Sequence, residues 1–414
     1  MESSKQTEIF IEKESRYGAH NYHPLPVVLD RGDGVYVWDV EGHRYFDFLS
    51  AYSAVNQGHS HPRIVKALVE QAKKLSLISR AFYNSSLGAF EEYLCGLFGF
   101  EKVLLMNTGA EAVETALKIC RKWGYEKKGI PKNQAKIVVC NGNFHGRTTS
   151  IISFSDDDNA KQNFGPFTPG FITIPYDDLK ALEMTLQSDV NIAGFLVEPI
   201  QGEAGVRVPS EGYMTKVKEL CTKNDVLCIF DEIQTGIART GKMLAIDYED
   251  VKGDILILGK ALSGGMYPVS AVLANDEVMD VIQPGQHGST YGGNPLACAV
   301  AMEALRVVHD EKLAHNAFVM GKLFRHKMRK LVDKSTLLTG LRGKGLLNAI
   351  LINSDENSNL AWNICLQLKK NGLLAKPTHG NKIRFAPPLV ITKTELLECV
   401  TIIEDTINSF VIES

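Results

Sequence analysis

The 414-residue chain lacks an excess of charge of either sign: 45 lysines and arginines against 48 aspartates and glutamates leave it at −3. No global basic field is available to draw in nucleic acid or an anionic membrane, so recognition has to come from a local site. Nor does any uncharged run approach the ~18 residues of a membrane span. The first sixteen residues have no apolar signal core, and they set Lys5, Lys13 and Arg16 against Glu2, Glu8, Glu12 and Glu14, unlike a basic, acid-poor transit peptide. A cytoplasmic location is therefore the expectation. The eight cysteines, Cys95, Cys120, Cys140, Cys221, Cys228, Cys298, Cys365 and Cys399, include no Cys-x-x-Cys and sit mostly in apolar or helical runs, as reduced, buried thiols do. His59-Ser-His61 and His20-Asn-Tyr-His23 lack the cysteines or the His-Glu-x-x-His helix of a zinc site, so no metal is expected. Internal repeats and low-complexity stretches are missing too. Gly236-Ile-Ala-Arg-Thr-Gly241-Lys242 has the start of a nucleotide-triphosphate loop, but Met243 stands where the Mg²⁺-binding hydroxyl is required.

What is there is an α/β pattern in a chain long enough for two or three domains. From about residue 100, apolar runs alternate with helical periodicity: Lys102 to Met106, Lys136 to Cys140, Phe171 to Ile174, Ala193 to Val197, Val226 to Phe230 and Ile255 to Leu258 read as strands of a mostly parallel sheet. Sites in such sheets lie beyond the strand carboxyl ends. Two of the ends deliver single charges, Asp231 and Lys260, whose 29-residue separation leaves room for one crossover between parallel strands. An amine and a carboxylate so placed suit pyridoxal phosphate: the lysine condenses with the cofactor aldehyde, and the carboxylate keeps the pyridine nitrogen protonated. At these two residues alone, an ordinary solvated loop start is the competing reading. Thr108 followed by Glu111 forms a capping box before a helix through Trp123, and the glycine-containing turn at Gly109 offers N–H groups as an anion cup. Gly34 to Asp39 and Arg44 to Phe48 form a hairpin, Leu49 to Gly58 a small-residue loop, and a helix opens at Pro62. We expect residues 1–45 to contribute to a small domain completed by 305–414, with 46–304 forming the large, cofactor-binding domain.

Six segments in order, Asn107-Thr-Gly-Ala-Glu-Ala, Asn143-Phe-His-Gly-Arg147, Val197-Glu-Pro-Ile-Gln-Gly-Glu203, Phe230-Asp-Glu-Ile-Gln-Thr-Gly236, Leu258-Gly-Lys-Ala-Leu-Ser-Gly-Gly265 and Ser289-Thr-Tyr-Gly-Gly-Asn-Pro295, resemble the class III pyridoxal-phosphate aminotransferases of fold type I. The resemblance runs from about Tyr17 to Phe410. It implies a large domain with a mostly parallel central sheet plus a smaller α+β domain. It also implies that Lys260 holds the cofactor and shuttles a proton, Asp231 pairs with the ring nitrogen, and Gln234 bonds the phenolic oxygen. Phe144 and Ile233 would sandwich the ring, although core packing explains either residue equally well. Gly109 and Ala110 would present N–H groups to the phosphate, and Ser289 and Thr290 would reach the cofactor of a second subunit, which requires a homodimer.

Within that class, His20-Asn-Tyr22-His-Pro-Leu-Pro and Tyr52-Ser-Ala-Val-Asn-Gln are most similar to the ornithine-directed members. The implied reaction converts L-ornithine and 2-oxoglutarate into glutamate 5-semialdehyde and L-glutamate. Ornithine reacts through its terminal amine, so its far end, with a carboxylate and an ammonium, needs a distant cation and acceptor. The resemblance assigns Arg147 to the carboxylate, Tyr22 to the α-amine, and Tyr52 to shaping the pocket. Glutamate reacts through its α-amine, so its α-carboxylate needs a cation close to the ring; Arg384 takes that part, masked by Glu203 when ornithine is bound. A structural salt bridge is the plainer explanation of that pair. Members acting on N-acetylornithine or 4-aminobutyrate are the alternative, against which Tyr22 and Tyr52 argue, because an acylated or absent α-amine leaves the acceptor unpaired.

Overall fold

The computed structural model describes residues 5–412. Its largest sheet has seven strands in the order Lys102–Met106, Ser270–Ala274, Ile255–Leu258, Leu227–Asp231, Ile192–Val197, Lys136–Cys140, Phe171–Ile174. Six run in one direction, and Ser270–Ala274 is antiparallel to both its neighbours. The five strands read between 136 and 258, and the one at 102, are where the sequence put them to within a residue. Ser270–Ala274 was not anticipated: its run of small residues has weak strand character, and it has no place in a simple βα alternation.

Both faces of this sheet are buried, which is why its strands read as continuous apolar runs. Alternate residues separate cleanly: Ile137, Val139, Ile229 and Ile257 enter the core under helix Gly109–Glu126, while Val138, Phe195, Phe230 and Leu258 enter the core on the other side. The helix carries the capping box read from the sequence, with Thr108 accepting from the Glu111 N–H and Glu111 from the Thr108 N–H. It lies so close to the sheet that a Cβ at Gly194 would collide with the Cys120 sulfur.

Two four-stranded sheets flank the large one. Leu338–Lys344, Leu347–Ile352, Lys382–Phe385 and Lys376–Thr378 form an antiparallel sheet. The other takes Leu29–Asp33, Tyr36–Asp39 and Arg44–Asp47 from early in the chain and adds Leu373–Leu374 in parallel. The expected hairpin is present, with Tyr36 opposite Phe46. Helices Pro295–Asp310 and Leu313–Val332 follow the last strand of the large sheet. The stretch read as a small-residue loop is more specific than that. Ser50, Ala51, Tyr52 and Ser53 all have positive φ, at 49°, 46°, 59° and 73°, forming a left-handed turn without glycine. Such residues cost roughly 1–2 kcal/mol each and persist only where the surroundings fix them. Here Asp47 accepts the N–H groups of Leu49 and Ser50, and Gln57 donates to the carbonyl of Ala261. Among the described residues, no helix is long and apolar enough to cross a membrane. All eight cysteines are unpaired, and seven are buried.

Candidate active site

The carboxyl ends of the six co-directional strands lie along one edge, and a cavity of about 190 Å³ opens there. Asp231 and Lys260 both line it, with Gly109, Ala110, Phe144, Ile233, Gln234 and Glu203. Asp231 is the last residue of its strand; its Oδ1 accepts the Ile233 N–H at 3.0 Å, and its Oδ2 lies 2.7 Å from His145 Nδ1. That contact places the proton on Nδ1, and the imidazole is fully enclosed. Burial works to lower the His145 pKa, but the hydrogen bond and the charge of Asp231 outweigh it and leave it above its ordinary value.

Lys260 begins a tight turn directly after strand Ile255–Leu258 and is itself held at a φ of 45°. Strain of that kind in a lysine of a cleft is a mark of function. Burial pushes its ammonium below the usual range, partly offset by Glu203 and Asp231. A lowered pKa makes the amine easier to deprotonate, as a proton shuttle requires.

His145 and Glu198 complete the inner site, and neither was assigned a role from the sequence. Glu198 follows the last residue of strand Ile192–Val197 and accepts the Phe144 N–H at 3.0 Å. Burial raises its carboxyl to about 8, with His145 opposing and Asp231 adding to the rise. The available signal was position: Glu198 directly follows a strand end, and His145 lies in the loop after Cys140, both in motifs already singled out.

A second, outer cavity of about 730 Å³ is lined by Tyr22, Tyr52, Arg147, Glu203 and Arg384, with Arg207, Arg342, Lys376 and Lys382. Phe144, His145 and Glu203 belong to both cavities. Arg384 is 2% exposed; its Nη1 donates to Glu203 Oε1 at 2.6 Å, and its guanidinium stands 5.0 Å from the Tyr52 ring. Burial would raise the Glu203 carboxyl, but Arg384 and Lys260, with hydrogen bonds from Gln234 and Arg384, hold it down to about 2. The hydroxyls of Tyr22 and Tyr52 have no hydrogen-bond partner among the described residues. Arg147, exposed and without a carboxylate partner among them, lies 5.5 Å from the Phe144 ring. Ser289 and Thr290 do not reach either cavity: Ser289 accepts from the Asn107 side chain at 2.9 Å, and Thr290 is exposed on the surface.

The inner cavity fits a flat heteroaromatic ring bearing an anionic arm. A Cβ at Gly109 would come to 3.0 Å from the Ile233 side chain, so a larger residue there would crowd the cavity wall. The first N–H groups of that helix have no intrahelical acceptor and suit a phosphate. Gln234 Oε1 is buried and unpartnered. Asp231 can hold a protonated ring nitrogen, and Lys260 can condense with an aldehyde.

Fold and site together define a pyridoxal-phosphate enzyme of fold type I. Residues 17–407 match the aminotransferase class-III family, and the chain belongs to it. The mitochondrial ornithine aminotransferase of Drosophila melanogaster is 62% identical over 407 residues, 98% of this chain and 93% of that one. A crystal structure of the ornithine aminotransferase from Toxoplasma gondii ME49 superposes with a TM-score of 0.97 at 49% identity, covering 100% of this chain and 97% of that one. A crystal structure of an acetylornithine aminotransferase from Elizabethkingia anophelis superposes with a TM-score of 0.91 at 65% identity, covering 98% of this chain and 100% of that one. The chain is thus a pyridoxal-phosphate-dependent aminotransferase.

Proposed function

We propose that the enzyme moves the terminal amine of L-ornithine to 2-oxoglutarate, giving glutamate 5-semialdehyde and L-glutamate in two half reactions. The relatives' names divide between ornithine and its acetylated form, so the outer cavity has to decide. The observation that carries the reading is the pair of unpartnered hydroxyls, Tyr22 and Tyr52, in the same cavity as the unpaired Arg147. An α-ammonium and an α-carboxylate at the far end of ornithine satisfy those groups; an acetamide leaves an acceptor unmet.

Bound pyridoxal phosphate supplies an aldehyde that condenses with amines and a ring that takes up the electron pair released at the substrate carbon. Asp231, steadied by His145, would hold the ring nitrogen in its protonated form. Phe144 and Ile233 would flank the ring, Gln234 would meet its phenolic oxygen, and Gly109 and Ala110 would offer N–H groups to its phosphate. Lys260 would be the base that takes the proton from the substrate carbon and the acid that gives it back. With ornithine, Glu203 neutralises Arg384 so that the α-carboxylate goes to Arg147. With 2-oxoglutarate, the α-carboxylate takes Arg384 instead.

Ser289 and Thr290 act on a neighbour's cofactor in a homodimer, supported by the exposure of Thr290 and of Phe82, Tyr83 and Tyr291; a monomeric mass in solution would refute this. Residues 1–45 work with 305–414 as one unit and 46–304 as the cofactor unit, supported by the packing of Val37 and Tyr45 with Leu374 and by the contact of the His23 and Trp362 rings at 4.6 Å. The eight unpaired cysteines support a reducing compartment, for which we propose the cytoplasm, and cell fractionation tests this. The decisive experiment mixes the yellow holoenzyme with ornithine, N-acetylornithine or 4-aminobutyrate in the absence of keto acid. Ornithine is expected to bleach the cofactor fastest and to yield glutamate 5-semialdehyde; a faster rate with either competitor overturns the assignment. Lys260→Ala is expected to lose the absorption of lysine-bound cofactor and at least about 10² to 10⁴ in rate.

A further inference from the structure

Strands Lys376–Thr378 and Lys382–Phe385 are antiparallel and place Lys376 directly across from Arg384. Directly opposed residues project from the same face, and both of these line the outer cavity. Like charges in that relation repel, so the pair needs an anion. Arg384 has its anion in Glu203. Glu203 Oε1 accepts from Arg384 at 2.6 Å and from the Gln234 amide at 2.9 Å. Lys376 forms no ion pair among the described residues, and its recorded contact is the Tyr22 ring, 5.8 Å from its amine. Its ammonium feels both charges: burial lowers its pKa, Glu203 raises it and Arg384 lowers it. Arg384 also keeps one donor unused, since its Nε is buried with no partner. The guanidinium is thus ready for a second carboxylate.

When a substrate carboxylate takes Arg384, the charge of Glu203 has to go somewhere. Leaving it beside an incoming anion, without a cation of its own, would oppose binding. We propose that Lys376 is the receiving cation, to which Glu203 transfers when the α-carboxylate of 2-oxoglutarate or glutamate displaces it from Arg384. The hydrogen bond from Gln234 holds the carboxylate during the exchange, and Tyr22 limits where the lysine can go. This rests on the carboxylate role given above to Arg384. Lys376 is then a positioning residue whose effect depends on which substrate is bound: it matters for the keto acid, which opens the Glu203–Arg384 pair, more than for ornithine, which leaves it closed.

The test measures the two half reactions separately on full-length holoenzyme. For Lys376→Gln, kcat/KM for 2-oxoglutarate with the pyridoxamine form is expected to fall about tenfold or more relative to kcat/KM for ornithine. Lys376→Arg is expected to restore most of the ratio, which a merely misfolded site would not. In a Glu203→Gln background, Lys376→Gln is expected to change that ratio by less than about twofold, because the charge it receives is gone. An equal fall with both substrates, a larger fall with ornithine, or an undiminished effect in the Glu203→Gln background each overturns the proposal. If wild-type holoenzyme leaves ornithine unreacted, the substrate assignment fails separately. The ratio is then measured against whichever ω-amine does react, with the same outcomes deciding on Lys376.

Discussion

Asp231 and Lys260 sit in one cavity, but their neighbours determine what each can do. Asp231 has one oxygen committed to the Ile233 N–H and the other to His145, so its orientation is fixed before any cofactor arrives. Glu198 stands behind that pair as a buried carboxyl raised to about 8 from an ordinary 4.5. The folded chain keeps a proton there that the unfolded chain releases near 4.5, so this group's stabilisation is complete at low pH and fades as pH rises towards about 8. In cofactor-free protein, Glu198→Gln is expected to flatten the decline of Tm between these limits. A wild-type slope retained in the variant would refute it. Glu203 runs in the opposite sense: held down to about 2, it stays ionised throughout the working range, and its mask on Arg384 does not lift by titration. Opening requires a competing carboxylate. Glu203→Ala is expected to raise activity towards α-amino acids relative to ornithine by about tenfold, and an unchanged ratio of half-reaction rates would count against the mask.

The elements bring these residues to one edge, and most of them were legible. Buried parallel strands announce themselves because both faces are apolar, and so the runs ending at Met106, Cys140, Val197, Asp231 and Leu258 could be read with their terminal residues. The capping box at Thr108 and Glu111 could be read because it is purely local. Removing it with Thr108→Ala is expected to destabilise the protein by about 1 kcal/mol and to weaken cofactor retention, checked by denaturant unfolding and cofactor titration. What escaped was whatever depends on distant partners. The left-handed turn at Ser50 to Ser53 contains no glycine to mark it, and it is held by Asp47, with the loop that follows tied to Ala261. His145 was seen in a motif but not as the partner of Asp231, 86 residues away. Lys376 went unnoticed because its place across from Arg384 is a matter of strand register in a short edge strand.

At the scale of the whole molecule, the false nucleotide loop turns out to be a clamp. Arg239, fully buried and without a carboxylate partner among the described residues, donates to the Asn56 side chain and to the carbonyls of Leu346 and Pro387. Burial lowers its pKa to about 9, yet it remains charged at neutral pH. Arg239→Met would strand those acceptors, and a loss on the order of 3 kcal/mol or more is expected in denaturant unfolding. A midpoint within error of wild type would show that water replaces the guanidinium. The clamp joins segments from the beginning, middle and end of the chain, and so does the small sheet in which Arg44–Asp47 lies beside Leu373–Leu374. The outer cavity takes Tyr22 and Tyr52 from early in the chain and Arg384 from near its end, whereas every residue lining the inner cavity lies between Gly109 and Lys260. The ribosome therefore finishes the part of the chain that surrounds the place for the vitamin more than a hundred residues before it supplies the last wall of the place for the amino acid.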